Sequence, residues 1–435
     1  MYRFKNFKNF ADAHLNLFQS VTLMIGKNGA GKSNAIEAIE LLAKVANGRP
    51  LHEIVDVGRG NGGLFEIRGG LEGCFAYQVG NSASANEFGL GFEATFDLDG
   101  ATPILSYNVT VGFPDIQIIK ESLTVGNSKE NRSYFDATIG SANILNVTYD
   151  NFAPGGKKPI AKLPADRSVL SRYETFANSE NKRPRQQDAS GVVRDLISYL
   201  RAVSVFDPTP RLMRQYERMG QSVLQKNGAN LSSVLYALKQ GDTEKKAILA
   251  RILSLIRQLP DEPFADFDFV ETRVRDVLLG FKREDGTITD ARALSDGTLR
   301  ALAILTALET VPEQSRVVIE ELDNGIHPSR IKMLMDAIWE CSSRRNLNVL
   351  ATTHNPATLD SLDMEQLKSV VLCYLDVESH SSKFMPLLDL PRVESLLEQG
   401  RLGDLVTRRV VEKHLLPDFE KEQQYKTKQW LESLV

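Results

Sequence analysis

Near the N-terminus, one short run of apolar residues is followed by a pattern typical of a helix. The run Val21–Ile25 has the length and composition of a buried strand, and Gly26 ends it. From Lys32 to Ala46 the chain is rich in Ala, Ile, Leu and Glu, and it then meets Asn47-Gly48-Arg49-Pro50, a signal for a helix end. The sequence therefore predicts a strand, a loop and a helix in direct succession.

Between residues 60 and 165 the pattern is typical of short strands. Stretches such as Phe75–Val79 and Ile104–Val111 are rich in apolar and β-branched residues, and Gly, Asn, Asp and Pro separate them. We expect an antiparallel sheet over this part of the chain. Residues 177–190 are polar and have no periodic apolar positions, so the sequence predicts a mobile loop there.

Apolar residues then recur at three- and four-residue spacing, which predicts four helices, over 192–205, 211–219, 232–239 and 243–259. None of these segments sustains a heptad pattern, which excludes a long coiled-coil arm. A β pair is expected from Phe267 to Lys282, with Glu284-Asp285-Gly286 as a turn. Helices and strands should alternate from there to about residue 375, and a charged helical tail is predicted over 391–431.

Composition places the chain among ordinary globular proteins. It has 435 residues, 42% of them hydrophobic and 25% charged, which excludes wholesale disorder and fibrous architectures. At about 150 residues per domain, either roughly three domains or one large core with insertions is expected. The net charge of −4 argues against a surface that binds nucleic acid throughout, although a local basic groove stays open.

Cysteine usage and hydropathy bear on the cellular compartment. Cys74, Cys341 and Cys373 are too few and too scattered for a disulfide framework or a four-ligand zinc site, and they fit a reducing cytosol. There is no run of about 18 apolar residues, and the first residues lack the features of a signal peptide. We expect a soluble, cytoplasmic protein with no membrane partner.

The loop after the first predicted strand carries a phosphate-binding motif. Gly26–Ser33 reads Gly-Lys-Asn-Gly-Ala-Gly-Lys-Ser and matches G-x-x-x-x-G-K-[ST] between a predicted strand and a predicted helix. The glycines allow backbone N–H groups to surround phosphates, and the helix N-terminus adds partial positive charge. Lys32 should bridge the β- and γ-phosphates, and the Ser33 hydroxyl should bind Mg²⁺. The predicted nucleotide-binding residues of this loop are Gly26, Asn28, Gly29, Ala30, Gly31, Lys32, Ser33 and Asn34.

Three later segments carry further candidate chemistry. Leu294–Thr298 precedes a predicted helix, Leu299–Thr310, and Ser295 and Gly297 have the residue types that bind a phosphate at a helix start. Taken alone, this segment is more often a simple N-cap. The other two segments are predicted strands that end in polar side chains.

The strand Val317–Ile319 runs into Glu320 and Glu321, and the strand Asn348–Ala351 leads to His354. Ligands of parallel sheets lie beyond the carboxyl ends of the strands, so these side chains are candidates for a metal–phosphate site. Taken alone, two adjacent acids are often a solvated turn, and a lone histidine is more often structural than catalytic.

The order of these elements resembles that of the ABC-type ATPase heads of the SMC/RecF/OLD group, and most of all the compact bacterial AAA family ATPases with an OLD-like head. The resemblance covers the first 50 residues, including Phe4–Phe7, and about residues 270–360. It implies an α/β fold, a P-loop ABC-ATPase head in which helices flank a mixed sheet, with an antiparallel β lobe and a helical insertion. Gly228–Leu231 also resembles a motif of the group's helical region.

The resemblance suggests a division of the chain into five segments. Two of them form the head: its N-terminal part with the Walker A loop, and its C-terminal part with the signature, Walker B and switch histidine. The others are a β-rich lobe, a helical insertion with a mobile loop, and a helical tail. In chain order the segments are 1–60 (head), 61–170 (lobe), 171–262 (insertion), 263–385 (head) and 386–435 (tail).

Residue roles follow from the resemblance by position. It implies that Glu320 binds Mg²⁺ where the family usually has Asp, and that Glu321 is the general base. His354 would contact the γ-phosphate and orient the attacking water. Ser295 and Gly297, in the ABC signature, would reach the nucleotide held by the opposite protomer. The longer arm of Glu320 leaves the magnesium geometry and the rate of turnover open.

Two positions depart from the family pattern or stay unassigned. Asp296 stands where transporter ATPases usually have Gly, although Leu-Ser-Asp-Gly-Thr is similar to the form used in this group. The glutamine that senses Mg²⁺ in such heads has no secure position. Gln78 and Gln117 are weak candidates, and neither is assigned to the site.

The function implied is Mg²⁺-dependent hydrolysis of ATP to ADP and phosphate within a homodimer or higher oligomer whose heads sandwich the nucleotide. Head dimerisation would control a separate effector, a nuclease or toprim-type protein, in antiphage defence. About 80 residues follow the histidine segment, too few for a fused toprim domain, so the effector is expected in trans. Residues 190–260 and the tail would then be its docking surfaces.

Three alternative functions fit parts of the pattern. A RecF-like clamp for DNA repair or recombination would bind nucleic acid through Lys182–Arg185 and through a predicted helix face of Arg211, Arg214 and Arg218. A transporter motor is disfavoured by the roughly 240 residues inserted between Pro50 and Asp290. A metabolic P-loop kinase leaves Ser295 and His354 without a role.

Overall fold

The structure is a computed structural model that describes residues 1–17, 20–54, 67–75, 86–96, 102–126, 131–153, 157–177, 184–259, 264–416 and 419, with only the backbone of 184–187. The chain folds into two compact units. The first comprises Met1–Asn16, Gly29–Val203 and Tyr374–Phe384, and the second Leu17–Asn28, Ser204–Cys373 and Met385–Val435. The division of the chain into five segments stays a prediction.

The strands are numbered in chain order. They are β1 Tyr2–Phe7, β2 Phe10–Leu15, β3 Val21–Ile25, β4 Glu87–Thr95, β5 Ile104–Gly112, β6 Gln117–Gly126, β7 Asn131–Ile139, β8 Ile144–Tyr149, β9 Ile160–Pro164, β10 Val203–Phe206, β11 Glu217–Arg218, β12 Phe264–Glu271, β13 Asp276–Arg283, β14 Ile288–Asp290, β15 Arg316–Ile319, β16 Asn348–Thr353, β17 Val370–Leu375 and β18 Ser382–Pro386.

The α-helices are named by their ranges. They are Lys32–Ala46, Tyr173–Ala177, Pro184–Arg201, Pro210–Met213, Leu231–Gln240, Thr243–Ile256, Asp296–Thr310, Pro328–Arg345, Pro356–Asp360, Met364–Leu367, Val393–Leu397, Leu402–Thr407 and Val410–His414. Short 3₁₀ helices span Glu72–Cys74, Leu170–Arg172, Ala291–Ala293 and Leu387–Asp389. No helix in the described ranges has both the length and the apolar content that crossing a membrane requires.

An eight-stranded antiparallel sheet dominates the first unit, in the order β2-β1-β4-β5-β6-β7-β8-β9. Buried residues alternate along β5 and β6, so one face of the sheet packs on a core and the other faces outward. The helix Lys32–Ala46 is buried over most of its surface, including Ala35, Ile36 and Ile39, and none of its residues is fully exposed. The antiparallel sheet expected after residue 60 is therefore confirmed over β4 to β9.

The core of the second unit surrounds a parallel sheet. Here β10, β15, β16, β3 and β17 are neighbours in that order, and the pairs from β15 to β17 are parallel. All residues of β3 and β15 are buried, as expected of strands covered on both faces. The helix Asp296–Thr310 is buried over nearly its whole length and belongs to the same core.

A smaller antiparallel sheet completes the second unit, in which β13 lies between β11 and β12 and also pairs with β14. This confirms the β pair predicted over Phe267–Lys282. The predicted turn at Glu284–Gly286 joins β13 to β14, where the N–H of Arg283 donates to the carbonyl of Thr287 at 2.8 Å. Three short helices occupy 393–414 of the charged helical tail predicted over 391–431, and residues 417, 418 and 420–431 of that prediction lie outside the described residues.

Two predictions in the middle of the chain are wrong. The mobile loop expected over 177–190 is helical from Pro184 onward, because Ala189 continues a buried stripe at helical spacing with Val193, Leu196 and Leu200. Proline also suits the first position of a helix. Residues 178–183 lie outside the described part of the chain. The helix expected to reach residue 205 ends at Arg201, and β10 follows it.

The helix expected over 211–219 spans only Pro210–Met213. The following residues turn into β11, which pairs with β13, so pairing with a distant strand overrides the local helical pattern. The predicted strand Phe75–Val79 lies outside the described residues except for Phe75, which forms an isolated bridge with Phe7.

Candidate functional site

Three candidate segments leave the parallel sheet at one edge, which we call the carboxyl edge. The register pairs Ile25 with Thr353, so Gly26 and His354 follow neighbouring strands at the same level. Glu320 follows β15, the strand on the other side of β16. Neighbouring strands lie about 4.8 Å apart, so the start of the phosphate loop, the histidine and the acids meet at this edge. The arrangement is the one expected from the sequence.

The phosphate loop owes its conformation to its glycines. Gly29 and Gly31 have φ angles of 80° and 112°, and Gly26 has a φ of 155°. The first two conformations are unfavourable for residues with a Cβ atom. Gly31 is the N-cap of the helix that begins at Lys32, and no side chain caps that helix. Its first N–H groups point out of the helix without an intrahelical acceptor, which suits an anionic ligand.

The predicted ligand Asn34 is engaged within the protein. Its Nδ2 donates to Asn9 Oδ1 at 2.7 Å, and its Oδ1 accepts a hydrogen bond from Arg68 Nη2 at 3.2 Å. Its side chain therefore orders the helix start, and only its backbone N–H is suited to a phosphate. Arg68 also binds the carboxylate of Glu37, which pairs with Lys8 as well. Sequence reasoning missed this network because its members are distant in the chain.

The candidate base Glu321 has an unusual backbone conformation, with a φ of 45°. Its N–H donates to Thr352 Oγ1 at 3.0 Å, and its carbonyl accepts a hydrogen bond from Arg300 Nη1 at 3.2 Å. Its carboxylate is exposed, and Oε2 accepts a hydrogen bond from Asn324 Nδ2 at 3.2 Å. A non-glycine residue in this region is strained, and such outliers concentrate at functional sites.

The other carboxylate of this turn has a structural role. Asp323 is buried, and its Oδ2 accepts hydrogen bonds from the hydroxyls of Thr353 and Thr358. These bonds join the turn after β15 to the end of β16. Next to them, the backbone N–H of Glu320 donates to the Phe206 carbonyl at 2.9 Å, which fixes where the acid leaves the sheet. No motif singled out Asp323, although it lies two residues after the paired acids.

The candidate signature residue Ser295 caps a helix. Its Oγ accepts a hydrogen bond from the Thr298 N–H at 3.1 Å and lies 2.7 Å from Thr298 Oγ1. We call the helix that it caps, Asp296–Thr310, the signature helix. A Cβ atom on Gly297 would lie 2.8 Å from the Gly325 carbonyl oxygen, so close backbone packing requires glycine there. The N-cap interpretation is correct for this structure, and Ser295 remains exposed.

His354 is exposed at the end of β16. The next residue, Asn355, donates its N–H to Thr353 Oγ1 at 3.0 Å, and its Oδ1 caps the helix Pro356–Asp360 by accepting from the Ala357 N–H at 3.0 Å. The backbone on both sides of the histidine is therefore held, while the imidazole faces solvent. This placement agrees with a role toward a ligand at the carboxyl edge.

The basic helix face expected from Arg211, Arg214 and Arg218 does not exist. Arg214 lies beyond the end of the helix Pro210–Met213, and its Nη2 is 2.6 Å from Asp296 Oδ1 and 2.7 Å from the Leu294 carbonyl oxygen. Arg218 is in β11 and donates to the Val274 carbonyl at 3.0 Å. Pairing with main-chain and carboxylate oxygens separates Arg214 from Arg218: 26% of the Arg214 side chain is exposed, against 71% of the Arg218 side chain. Lys182 and Arg183 lie outside the described residues.

Gln117, one of the two weak glutamine candidates, is the first residue of β6, and its buried Oε1 has no hydrogen-bond partner. The other candidate, Gln78, lies outside the described residues. All three cysteines are buried thiols outside any disulfide.

Sequence comparison places the chain in a family. A family model described as "AAA domain, putative AbiEii toxin, Type IV TA system" matches residues 21–360, more than three quarters of the chain. The chain belongs to this family of AAA ATPases. It is an ATPase related to the SMC/RecF group, with the mixed α/β fold of P-loop ATPases. The resemblance stated from the motifs is confirmed.

Two curated proteins are similar in sequence. An "ATP/GTP phosphatase" of Helicobacter pylori is 21% identical over 379 residues, which cover 83% of this chain and 86% of that protein. The "DNA replication and repair protein RecF" of Gloeobacter violaceus is 40% identical over 55 residues, which cover 13% of this chain and 15% of RecF.

Solved structures with a similar backbone fold include two SMC heads. The SmcHead bound to the C-winged helix domain of ScpA has a TM-score of 0.48 and 12% identity, over 88% of this chain and 96% of that one. The SMC head domain from Thermotoga maritima has a TM-score of 0.42 and 13% identity, over 88% and 97%.

Proposed function

We propose that the chain binds ATP and Mg²⁺ at the carboxyl edge and hydrolyses ATP between two copies of itself, and that this cycle controls a separate effector protein. The observation that carries the proposal is the register of β3, β16 and β15, which brings Gly26, His354 and the acids Glu320 and Glu321 to one edge. A phosphate loop beside paired acids and an imidazole has the parts that phosphoryl transfer to water requires.

In this proposal the phosphate loop binds the triphosphate through backbone N–H groups and through Lys32. The hydroxyl of Ser33 and the carboxylate of Glu320 would hold Mg²⁺. Both provide the oxygen ligands that Mg²⁺ prefers, and no group of three or more His, Cys, Asp or Glu side chains suited to a metal occurs among the described residues. Two protein ligands suit an ion that keeps its water and phosphate ligands. When bound, Mg²⁺ would neutralise charge on the phosphate oxygens.

Glu321 would accept the proton of the attacking water, and His354 would orient that water toward the γ-phosphate. The carboxylate of Glu321 is exposed, whereas its backbone N–H and carbonyl are both hydrogen-bonded. A fixed main chain beneath an accessible carboxylate is what a general base requires. Asn324, which donates to that carboxylate at 3.2 Å, restricts its rotamer.

Two variants test the roles of the loop and the base. Lys32→Ala should abolish ATP binding, because it removes the cation that contacts the phosphates. Glu321→Gln should keep binding and accumulate the ATP-bound dimer, because only the base is lost. Nucleotide affinity and mass in solution with ATP measure both effects. Glu313→Gln, at an exposed acid before β15, is the matched control and should behave as wild type. Equal loss of affinity in the Lys32 and Glu321 variants would refute the assignment.

A mixing experiment tests whether each site is shared by two chains. Lys32→Ala and Ser295→Ala should each be inactive alone. Their mixture should regain about a quarter of the wild-type rate, because half of randomly paired dimers are mixed and each mixed dimer has one intact site. If one chain supplied both residues of a site, mixing would restore nothing.

In the proposed function, the ATPase cycle controls an effector protein in antiphage defence. The family description names a putative AbiEii toxin of a type IV toxin–antitoxin system, which supports a role in a defence-type pair. The segment 190–260 exposes Tyr216 and Val223, large apolar side chains that suit a protein contact. Co-purification from native cells should recover a nuclease or toprim-type protein. A chain that gives phage protection without any partner would refute this part.

The second candidate function, a RecF-like clamp on DNA, is supported by the 55-residue stretch similar to RecF. The arginines expected to contact phosphates weaken it, since Arg214 and Arg218 are paired within the chain. For a clamp, DNA affinity should rise with ATP and fall steeply with salt. Binding weaker than micromolar under all conditions would exclude it.

A further inference from the structure

We infer that Arg300 is a positioning residue for ATP hydrolysis, which holds the main chain of Glu321 from the signature helix so that the base faces the attacking water. The inference rests on the proposed role of Glu321. It adds a residue that no motif contains and assigns it to the step of water activation.

The Nη1 atom of Arg300 makes its polar contacts at the carboxyl edge. It donates to the Glu321 carbonyl at 3.2 Å and lies 3.9 Å from Asp207 Oδ1. Only 7% of the Arg300 side chain is exposed. Asp207 follows β10, the strand beside β15, and belongs to the same edge. Arg300 therefore joins three elements of the second unit: the signature helix, the end of β10 and the turn after β15.

Packing alone does not account for an arginine at this position. Its Nε is buried and has no hydrogen-bond partner. Burial lowers the pKa of the guanidinium, while the nearby carboxylates of Asp207, Glu321, Asp323 and Asp296 favour its charged form. A buried cation with an unmatched N–H is unfavourable compared with an apolar side chain of similar size. The guanidinium of Arg300 thus places a positive charge next to the acidic side chains of the carboxyl edge.

The backbone of Glu321 shows what that charge does. A φ of 45° is unfavourable for glutamate, and it persists only where neighbours hold it. Three hydrogen bonds do so: the Glu321 N–H donates to Thr352 Oγ1, and the Glu321 carbonyl accepts from Arg300 and from the Asn324 N–H at 3.0 Å. Without Arg300, the Glu321 carbonyl loses its side-chain hydrogen-bond donor. The Glu321 carboxylate is then still available as a base, but the main chain no longer fixes its orientation.

Arg300 and the signature residue Ser295 belong to the same helix. Arg300 lies five residues after Ser295. In the proposed dimer, Ser295 contacts the nucleotide of the partner, so a shift of the signature helix reaches Glu321 through the guanidinium. Arg300 would therefore couple the contact between Ser295 and the partner's nucleotide to the orientation of the Glu321 carboxylate.

The test compares two arginines that donate to main-chain carbonyls: Arg300, which lies on the signature helix and donates to Glu321, and Arg345, which donates to the C-terminal end of that helix. Arg300→Gln should lower kcat at least tenfold and leave the Kd of ATP within twofold, while Arg300→Lys should recover part of the rate. The matched control is Arg345→Gln, because Arg345 donates to the carbonyls of Leu308 and Val311 at the far end of this helix. It should lower the melting temperature and leave kcat unchanged.

Three results would overturn the inference. The first is a lower melting temperature of Arg300→Gln with kcat unchanged. The second is an equal decrease of kcat in Arg300→Gln and Arg345→Gln. The third is a loss of ATP affinity in Arg300→Gln as large as its loss of kcat. If Arg300→Gln does not fold, Arg300→Lys and Asp207→Asn decide, and each should reduce kcat with Kd unchanged. An unchanged kcat in both contradicts the inference.

A double variant separates this inference from the proposed function. In the Glu321→Gln background, Arg300→Gln should reduce the residual rate no further, because the base it positions is already gone. A fully active Glu321→Gln protein would refute the proposed function itself. An inactive Glu321→Gln protein beside a fully active Arg300→Gln protein would refute only the role of Arg300.

Discussion

The carboxylate of Glu412 lies 2.6 Å from the ammonium group of Lys27, the second residue of the phosphate loop. This pair joins the loop to a short helix near the C-terminus of the described chain. Close by in sequence, the N–H of Gly403 donates to Asp360 Oδ1 at 2.7 Å, six residues after His354. The C-terminal segment of the second unit thus contacts both the phosphate loop and the helix that follows the candidate switch histidine.

Glu412→Gln should tighten ATP binding by about two- to fivefold, because it removes a negative charge that neutralises Lys27 at the phosphate loop and repels the triphosphate. The range follows from the roughly 0.4–1 kcal/mol typical of exposed ion pairs, and 60% of the Lys27 side chain is exposed. Titration with a fluorescent ATP analogue at low and high salt measures the effect. Glu398→Gln, at an exposed acid of the same segment, is the control. The same tightening in both variants would show a general charge effect.

Gly31→Ala should abolish nucleotide binding and lower the melting temperature. A Cβ atom at Gly31 would lie 2.9 Å from Asn9 Nδ2 and 3.0 Å from Phe10 Cζ, and the φ of 112° is unfavourable for alanine. Gly29→Ala is the matched control, because its φ of 80° carries strain while no atom lies within 4 Å of its Cβ position. Gly29→Ala should lower the free energy of unfolding by about 1–2 kcal/mol, from backbone strain alone. Equal effects of the two substitutions would contradict the steric argument.

Glu309→Gln should destabilise the second unit by about 1.5–3 kcal/mol, because Glu309 has no exposed side-chain area and binds Arg251 at 3.2 Å and Arg344. The substitution removes the charge of a buried hydrogen-bond acceptor, whereas 44% of the Arg251 side chain and 35% of the Arg344 side chain are exposed to water. Glu340→Gln is the control. It removes a 2.8 Å pair with the same Arg344, but 52% of the Glu340 side chain is exposed, so the cost should stay below about 1 kcal/mol. Thermal denaturation measures both, and similar costs would contradict the role of burial.

Gly191→Ala should stabilise the first unit by about 0.5–1 kcal/mol. Gly191 lies inside the helix Pro184–Arg201, and no atom lies within 4 Å of its Cβ position, so alanine adds helix propensity without a clash. Gly228→Ala, in the second unit, should have the opposite sign, since Gly228 has a φ of 70° and its Cβ would lie 2.6 Å from Met213 Cε. A lower melting temperature for Gly191→Ala would argue against a stable helix there.

Local signals predicted the segments around the site well. The strand Val21–Ile25 and the helix Lys32–Ala46 have the predicted limits, because apolar composition, glycine and helix-ending residues all lie within the segments themselves. The strands before Glu320 and His354 were found in the same way. Each of these predictions depends on neighbours in sequence.

The failures involve contacts between distant residues. Arg214 and Arg218 were expected on one helix, but Arg214 pairs with Asp296 and β11 pairs with β13. The buried Asp323 and the cation Arg300 belong to no motif, and their roles depend on Thr353, Thr358 and the Glu321 carbonyl. Spacing along the chain contains no information about such partners.

The sequence by itself determined which residues are candidates for phosphate chemistry, since the glycines, Lys32 and the paired acids are recognisable from local order alone. Only the tertiary structure decided how those residues are presented. The register of β15, β16 and β3 sets their common edge, and hydrogen bonds from Thr352 and Arg300 hold Glu321 in a conformation that glutamate avoids. The reason is physical: backbone propensities act over a few residues, whereas strand pairing and buried charge act between residues far apart in the chain.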